Sequence, residues 1–198
     1  QLATVLPVCD HYAGNPKFFD KALKIRDELG ACFDITLDLE DGAKIGHEES
    51  AAQWAAQALR QFSDSYGPEA RRPGVRIHPV GHTAFETDLQ HLLRAEVPSP
   101  AYLMLPKPLG AEDVRKALER IKALAQASGQ AAPALHVLIE THGALAQVHA
   151  IAEIPEVESL SFGIMDFVSS HRGAIPKSAL SSPGQFENAL IKRAKLEI

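Results

Sequence analysis

The sequence predicts an α/β fold, a (β/α)8 TIM barrel with about six β/α units in this chain and the C-terminal part missing. Three observations lead there. Short β-rich runs alternate with helical stretches, which implies parallel β-α-β units. No glycine-rich dinucleotide fingerprint follows any run, so the open doubly wound sheet lacks its usual mark. A polar residue closes run after run: Asp41, Arg76 and His78, Lys107, Glu140 and Asp166. A barrel gathers such ends at one mouth, where barrel active sites are built, whereas an open sheet spreads them along an edge.

Thr4–Cys9 is the first expected strand, with a helix over Phe18–Leu29. Phe33–Leu39 is the second, and Glu48–Phe62 an Ala-rich amphipathic helix behind it. Gly74–His78 leads to a helix over Thr83–Arg94, and Tyr102–Leu105 to Ala111–Ser128, whose acidic start suits a helix N-terminus. Leu135–Glu140 precedes a helix over Ala144–Ala152, Leu160–Ile164 is the sixth strand, and another helix begins at Gln185. Residues 1–198 read as one incomplete barrel domain. The chain starts without Met and stops inside a helical pattern that no Gly or Asn closes, so a longer parent protein is expected.

Composition narrows the class. With 45% hydrophobic and 23% charged residues the chain is an ordinary globular protein, long enough to bury a core. A formal charge of -5 argues against nucleic acid or an anionic membrane as the main partner. No apolar run approaches the roughly 20 residues of a membrane span, and no signal peptide is visible. Cys9 and Cys32 cannot build a disulfide framework; a reducing cytoplasm is expected, with both thiols buried in the core.

The segment Phe33-Asp-Ile-Thr-Leu-Asp-Leu-Glu-Asp-Gly42 carries the strongest signal. Period-2 alternation sets Ile35, Leu37 and Leu39 on one face and Thr36, Asp38 and Glu40 on the other. Polar groups inside a barrel must be paired, bonded or bound to metal. Glu40 and Asp41 stand last, at the mouth; Asp38, one layer deeper, is expected to fix its neighbours. Glu140 and Asp166 close two adjacent runs, and two such carboxylates without nearby thiolates suit a hard cation, Mg²⁺ or in its place Mn²⁺. They suit helix N-caps as well. Arg76 can pair with Glu40 or bind a substrate carboxylate or enolate oxygen. His78 reads equally as a structural histidine or a substrate ligand. Lys107 among these acids is expected to be protonated and paired, not a Schiff-base lysine. His136 is expected in the core and the other histidines in loops or on helix faces, His142 and His171 at the mouth side. No zinc spacing, nucleophile elbow or P-loop is present.

Leu37-Asp-Leu-Glu-Asp-Gly42, Val75-Arg-Ile77, Met104-Leu-Pro-Lys107, Leu138-Ile-Glu-Thr141 and Phe162-Gly-x-x-Asp-Phe167 occur in this order over roughly Thr4 to Phe167. In this the chain resembles the citrate lyase beta subunit family, within the malyl-coenzyme A lyases and the wider HpcH/HpaI aldolases. The resemblance implies a barrel, Mg²⁺ held by Glu140 and Asp166, and a carbon–carbon lyase or Claisen-type reaction on a citryl-, malyl- or citramalyl-type acyl thioester. A 2-oxo acid would rest its carboxylate on the amides around Gly163, Ile164 and Met165, near His78 and Lys107. Arg76 would face the enolate of an acetyl thioester, and Glu40 and Asp41 would bind metal waters and orient Arg76. The thioester partner would be coenzyme A or an acyl-carrier protein, and the protein a trimeric or hexameric homo-oligomer whose missing C-terminal portion can supply the base. The chain departs from that pattern at His78, often Asn in the family, at Leu6-Pro-Val-Cys-Asp-His-Tyr12, and at Ser169–Pro176. Two other readings remain: an aldolase splitting 4-hydroxy-2-oxo acids to pyruvate, disfavoured by Asp41 where that group has His, and a barrel subunit kept only for assembly.

Overall fold

The computed structural model describes residues 6, 7 and 9–198. Six parallel strands follow one another in sequence order, β1 (Asp10–Ala13), β2 (Asp34–Asp38), β3 (Gly74–Arg76), β4 (Tyr102–Leu105), β5 (Ala134–Ile139) and β6 (Val157–Phe162). They form a curled part-barrel sheet with helices packed outside it. Their order is the expected one, and β2 to β6 overlap their expected segments, whereas the first strand falls beyond its segment. β1 begins at Asp10, one residue past the expected Thr4–Cys9 segment and sharing none of it; Thr4, Val5 and Val8 of that segment lie outside the described residues.

Each helix is set by local chemistry. α1 (Pro16–Leu29) starts where the Asn15 side chain accepts the Phe18 amide at 3.1 Å, with Pro in the first turn, where its missing N–H costs nothing. α2 (Glu48–Tyr66) has two acids at its N-terminus and buries Ala52, Ala55, Ala56 and Ala58, small residues that allow close packing, beside Leu59 and Phe62. α3 (Phe85–Leu92) and α4 (Ala111–Ala127) follow β3 and β4. After β5 the expected single helix is broken at Gln147 into α5 (His142–Ala146) and α6 (Val148–Ala152). The Gln147 side chain turns aside there to accept the Ala111 amide at 3.1 Å.

The largest departure lies after β6, which ends at Phe162 instead of Ile164. Ile164–Ser170 forms α7, so Asp166 is in a first helical turn and not at a strand end. The amide of Phe167 donates to the Gly163 carbonyl at 3.0 Å and starts this turn. A 3₁₀ turn, α8 (Gly184–Glu187) and α9 (Ala189–Glu197) complete the chain, α9 being capped by Asn188.

The sheet's two faces differ as the alternation requires. Ile35, Leu37, Leu39, Val75, Ile77, Leu103, Leu105, Val137 and Ile139 are fully or almost fully buried against the helices. Thr36, Asp38, Arg76, Tyr102, Met104, His136 and Leu138 line the concave face. Gly74 lies against the Tyr102 ring, where a Cβ would come within 2.1 Å of Cε2. Both cysteines are exposed, against expectation. Cys32 sits in the turn that follows α1, and Cys9 precedes β1, the edge strand. No helix among the described residues is long and apolar enough to cross a membrane.

A polar layer fills the concave face below the mouth. Thr36 donates to Asp10 at 2.7 Å and receives the Tyr102 hydroxyl at 2.6 Å. The Tyr102 ring stacks on buried His136, whose Nε2 is 2.9 Å from Glu158, while Arg71 forks onto Asp34. His136 is thus the satisfied core histidine the sequence suggests. His11 lies on β1, not in a loop. Asp10 is pushed up to about 6, first by burial, and its Oδ1 is buried without a partner among the described residues. Its folded-state value lies above the ordinary 3.8, so the fold prefers the neutral acid, and that contribution is full below about pH 4 and lost as pH rises through about 6. Asp10→Asn, which stays neutral, is expected to raise the unfolding free energy by about 2 kcal/mol at about pH 8 and to leave it unchanged near about pH 4. Urea unfolding at the two pH values measures the difference.

Candidate active site at the mouth of the sheet

The carboxyl ends of β2 to β5 and the first turn of α7 meet at one place. Arg76 is its centre. Its Nε and Nη2 bind the two Asp38 oxygens at 2.7 and 2.6 Å, and Nη1 reaches Glu40 at 3.2 Å and Asp41 at 3.6 Å. The pairing of Asp38 with Arg76 in the β2–β3 register makes the two-pronged contact geometrically natural. The Tyr12 ring lies 5.2 Å from the guanidinium carbon, a cation–π contact from β1. Asp38 therefore fixes its neighbour, as its deeper layer implies.

Lys107 ties the other side together. It lies between two prolines and adopts a left-handed backbone, φ 51°, which few non-glycine residues accept. Its amide donates to Glu140 Oε1 at 2.7 Å while its ammonium binds Glu40, with Asp41 at 3.3 Å and Asp166 at 3.6 Å. Burial alone would lower its proton affinity; the Glu40 hydrogen bond and the charges of Glu40, Asp166 and Asp41 outweigh that and hold it above the ordinary lysine value. Lys107 is a fixed cation here, which removes it as a neutral amine.

Glu140 is 2% exposed at the end of β5, packed against Gly163, where a Cβ would fall 2.1 Å from Oε2. Burial pushes its carboxyl up to about 7, the Lys107 amide pulling the other way and the Asp166 charge adding to the rise. Asp166 stands opposite, a third exposed. Thr141, next along, caps α5 through the Ala144 amide, so Glu140 is not spent as an N-cap. The Gly163 amide is spent on the Ile139 carbonyl at 3.2 Å. Of the three amides singled out for an anion, those of Ile164 and Met165 remain, in the first turn of α7, ahead of its own ladder.

The charges do not balance. Among the described residues, Asp38, Glu40, Asp41, Glu140 and Asp166 share two cations within ion-pair reach, Arg76 and Lys107. Among the described residues no three His, Cys, Asp or Glu side chains form a ready-made cage. Two oxygen donors and a surplus of negative charge fit Mg²⁺, which keeps positions for water and substrate, and do not fit zinc. His78 lies beside the cluster. Its Nδ1 is 2.7 Å from Asp88, and Asp88 also receives the His78 amide at 2.8 Å. Asp88 lies in the middle of α3, ten residues on, and no local pattern marks it. His142 and His171 pack edge to face at 5.5 Å; His142 opens α5 and His171 closes α7, so both lie at helix ends.

The sequence model of the HpcH/HpaI aldolase/citrate lyase family matches residues 23–178. The chain belongs to that family. It aligns over its whole length with a citrate lyase from Burkholderia xenovorans LB400, at 45% identity and a TM-score of 0.90, covering 61% of that chain. This chain therefore spans about three-fifths of that relative's length. It also aligns, at 20% identity and a TM-score of 0.68, with the Mycobacterium tuberculosis citrate lyase beta subunit complexed with oxaloacetate and magnesium, over 96% of this chain and 70% of that one. A CitE protein from the same organism, in complex with magnesium and pyruvate, matches at 21% identity and a TM-score of 0.67, over 100% of this chain and 69% of that one. At such identities the likeness carries the fold. Among curated proteins none matches. Within the family's fold, the five sequence motifs fall on the strands and turns that build the mouth.

Proposed function

We propose that this chain carries the active-site face of a Mg²⁺-dependent carbon–carbon lyase. It cleaves, or forms by Claisen condensation, a citryl-, malyl- or citramalyl-type acyl thioester, giving a 2-oxo acid and an acetyl thioester. The observation that carries the reading is the Arg76 guanidinium, locked by Asp38 within a mouth that also presents Glu140 and Asp166. The magnesium, oxaloacetate and pyruvate named for the tuberculosis relatives agree with that donor set.

Glu140 and Asp166 would hold the cation, with Glu40 and Asp41 toward its waters. Bound there, Mg²⁺ would act as a Lewis acid on the oxo-acid oxygens. Arg76, immobilised on three carboxylates, stabilises oxygen charge where the thioester enolate develops, and needs no reorganisation to do so. The Lys107 ammonium stands between Glu40 and Asp166 and holds both in place. The Ile164 and Met165 amides receive the oxo-acid carboxylate. Coenzyme A or an acyl-carrier protein delivers the thioester, and a trimer or hexamer would complete the mouth.

The test is cleavage of malyl-, citramalyl- and citryl-thioesters with Mg²⁺ or Mn²⁺. Glu140→Gln and Asp166→Asn are each expected to lose at least about a hundredfold in kcat/KM. Undiminished cleavage in both variants would overturn the metal assignment; pyruvate release from 4-hydroxy-2-oxo acids alone would move the activity to the aldolase side.

A further inference from the structure

His78 departs from a purely structural histidine in three respects. Its ring is buried and oriented by a carboxylate that is itself completely buried, Asp88, 0% exposed. That carboxylate's second oxygen has no partner among the described residues, so Asp88 serves only His78. With Nδ1 tied to Asp88, the free ring nitrogen is Nε2, which makes no hydrogen bond to any described residue.

The imidazole lines a cavity of about 390 Å³ that opens between the β2–α2 and β3–α3 loops and shares Glu40, Asp41 and Lys107 with the mouth. Leu39, Ile45 and Pro79 give this cavity an apolar wall. The His82 ring covers one face of His78, stacked at 4.4 Å. A carboxylate that fixes the tautomer, a free Nε2 and a half-apolar cavity beside the proposed enolate position make the arrangement of a general acid–base.

We infer that His78, held by Asp88, is the proton-transfer group of this site, and that the cavity it lines receives the acyl end of the thioester. The inference rests on the lyase reading above. In cleavage, neutral Nε2 takes the hydroxyl proton of the substrate as the carbon–carbon bond breaks and the keto group forms. The imidazolium then returns that proton to the enolate carbon, forming the methyl C–H bond and regenerating neutral His78. Condensation runs the same steps backwards. Three other groups at the mouth are unsuited: Lys107 is held as an ammonium, Glu40 is shared between Arg76 and Lys107, and Arg76 does not titrate.

Charges reach His78 from every side. Asp88 on α3, Glu48 on α2 and Glu40 on the β2 end favour its protonated form and outweigh the effect of burial; Asp41, Lys44, Lys107 and His82 border the same cavity. The net effect holds the imidazole above its ordinary value, so removing the Asp88 charge should shift it down.

The experiment is wash-in of solvent deuterium into the methyl groups of acetyl-coenzyme A and pyruvate, followed by proton NMR on the full-length, Mg²⁺-loaded protein. The wild type is expected to exchange at least one probe. His78→Gln is expected to lose at least about a hundredfold while Mg²⁺-dependent oxaloacetate binding persists. Asp88→Asn should move the alkaline-rising limb of the exchange rate to lower pH, and added imidazole should restore exchange to His78→Ala. Exchange at the wild-type rate in His78→Gln, alongside normal thioester cleavage, overturns the dyad and leaves the lyase reading standing. If His78→Gln loses binding as well, failure of imidazole rescue overturns it. A wild type that exchanges neither probe nor cleaves any thioester overturns both.

Discussion

Arg76→Met is expected to reduce thioester cleavage by at least about a thousandfold and to destabilise the protein by about 3–5 kcal/mol. The two effects have separate origins. Asp38 is 5% exposed and spends both oxygens on the guanidinium, so removing Arg76 leaves a buried, unpaired carboxylate. The loss of cleavage comes instead from the missing positive charge at the enolate oxygen. Adding Asp38→Leu to Arg76→Met removes the stranded charge, and it should recover most of the stability and none of the activity. Urea unfolding and initial cleavage rates on the single and double variants separate the terms. Recovery of both together would mean that Arg76 serves only the fold.

Gly163→Ala should weaken Mg²⁺ binding by about 10–100-fold, the effect usually produced by disturbing the support of a metal ligand. The glycine backbone has φ -88°, a conformation open to alanine, so the effect is steric. An added Cβ would stand 2.1 Å from Glu140 Oε2 and 2.8 Å from Glu140 Cβ. Rotating the carboxylate relieves only the first of these contacts, and at 2% exposure Glu140 has no space behind it. The side chain must leave its position beside Asp166, with an overpacking cost of about 1–3 kcal/mol. Calorimetric titration with Mg²⁺ reads the affinity directly; unchanged affinity in the folded variant would show that Glu140 does not need its observed position.

The parts of this site written in period-2 alternation are legible in the sequence. Thr36 and Asp38 share a face because strand geometry leaves no other choice, and Arg76 meets Asp38 because adjacent strands pair in register. The motif series pointed to the family that the residues 23–178 match establishes. What stayed hidden depends on distance or on backbone detail. Asp88 reads as an ordinary helix residue, and only the packing of α3 against the end of β3 brings it to His78. Lys107 bridges four acids because of a left-handed backbone that sequence pattern does not encode. Leu160–Ile164 reads as strand because its apolar residues fit either period; the Gly163 amide ends the ladder and α7 begins. The apolar neighbours of the two cysteines suggest a core, while both lie just outside regular elements and are exposed.

Glu140 and Asp166 would hold the divalent cation on which oxo-acid binding depends. Calorimetric titration of oxaloacetate into the protein, with Mg²⁺ and with chelator, tests it most directly. Binding that requires Mg²⁺ and disappears in Glu140→Gln and in Asp166→Asn is the predicted result; equal binding with chelator, or in both variants, would contradict it.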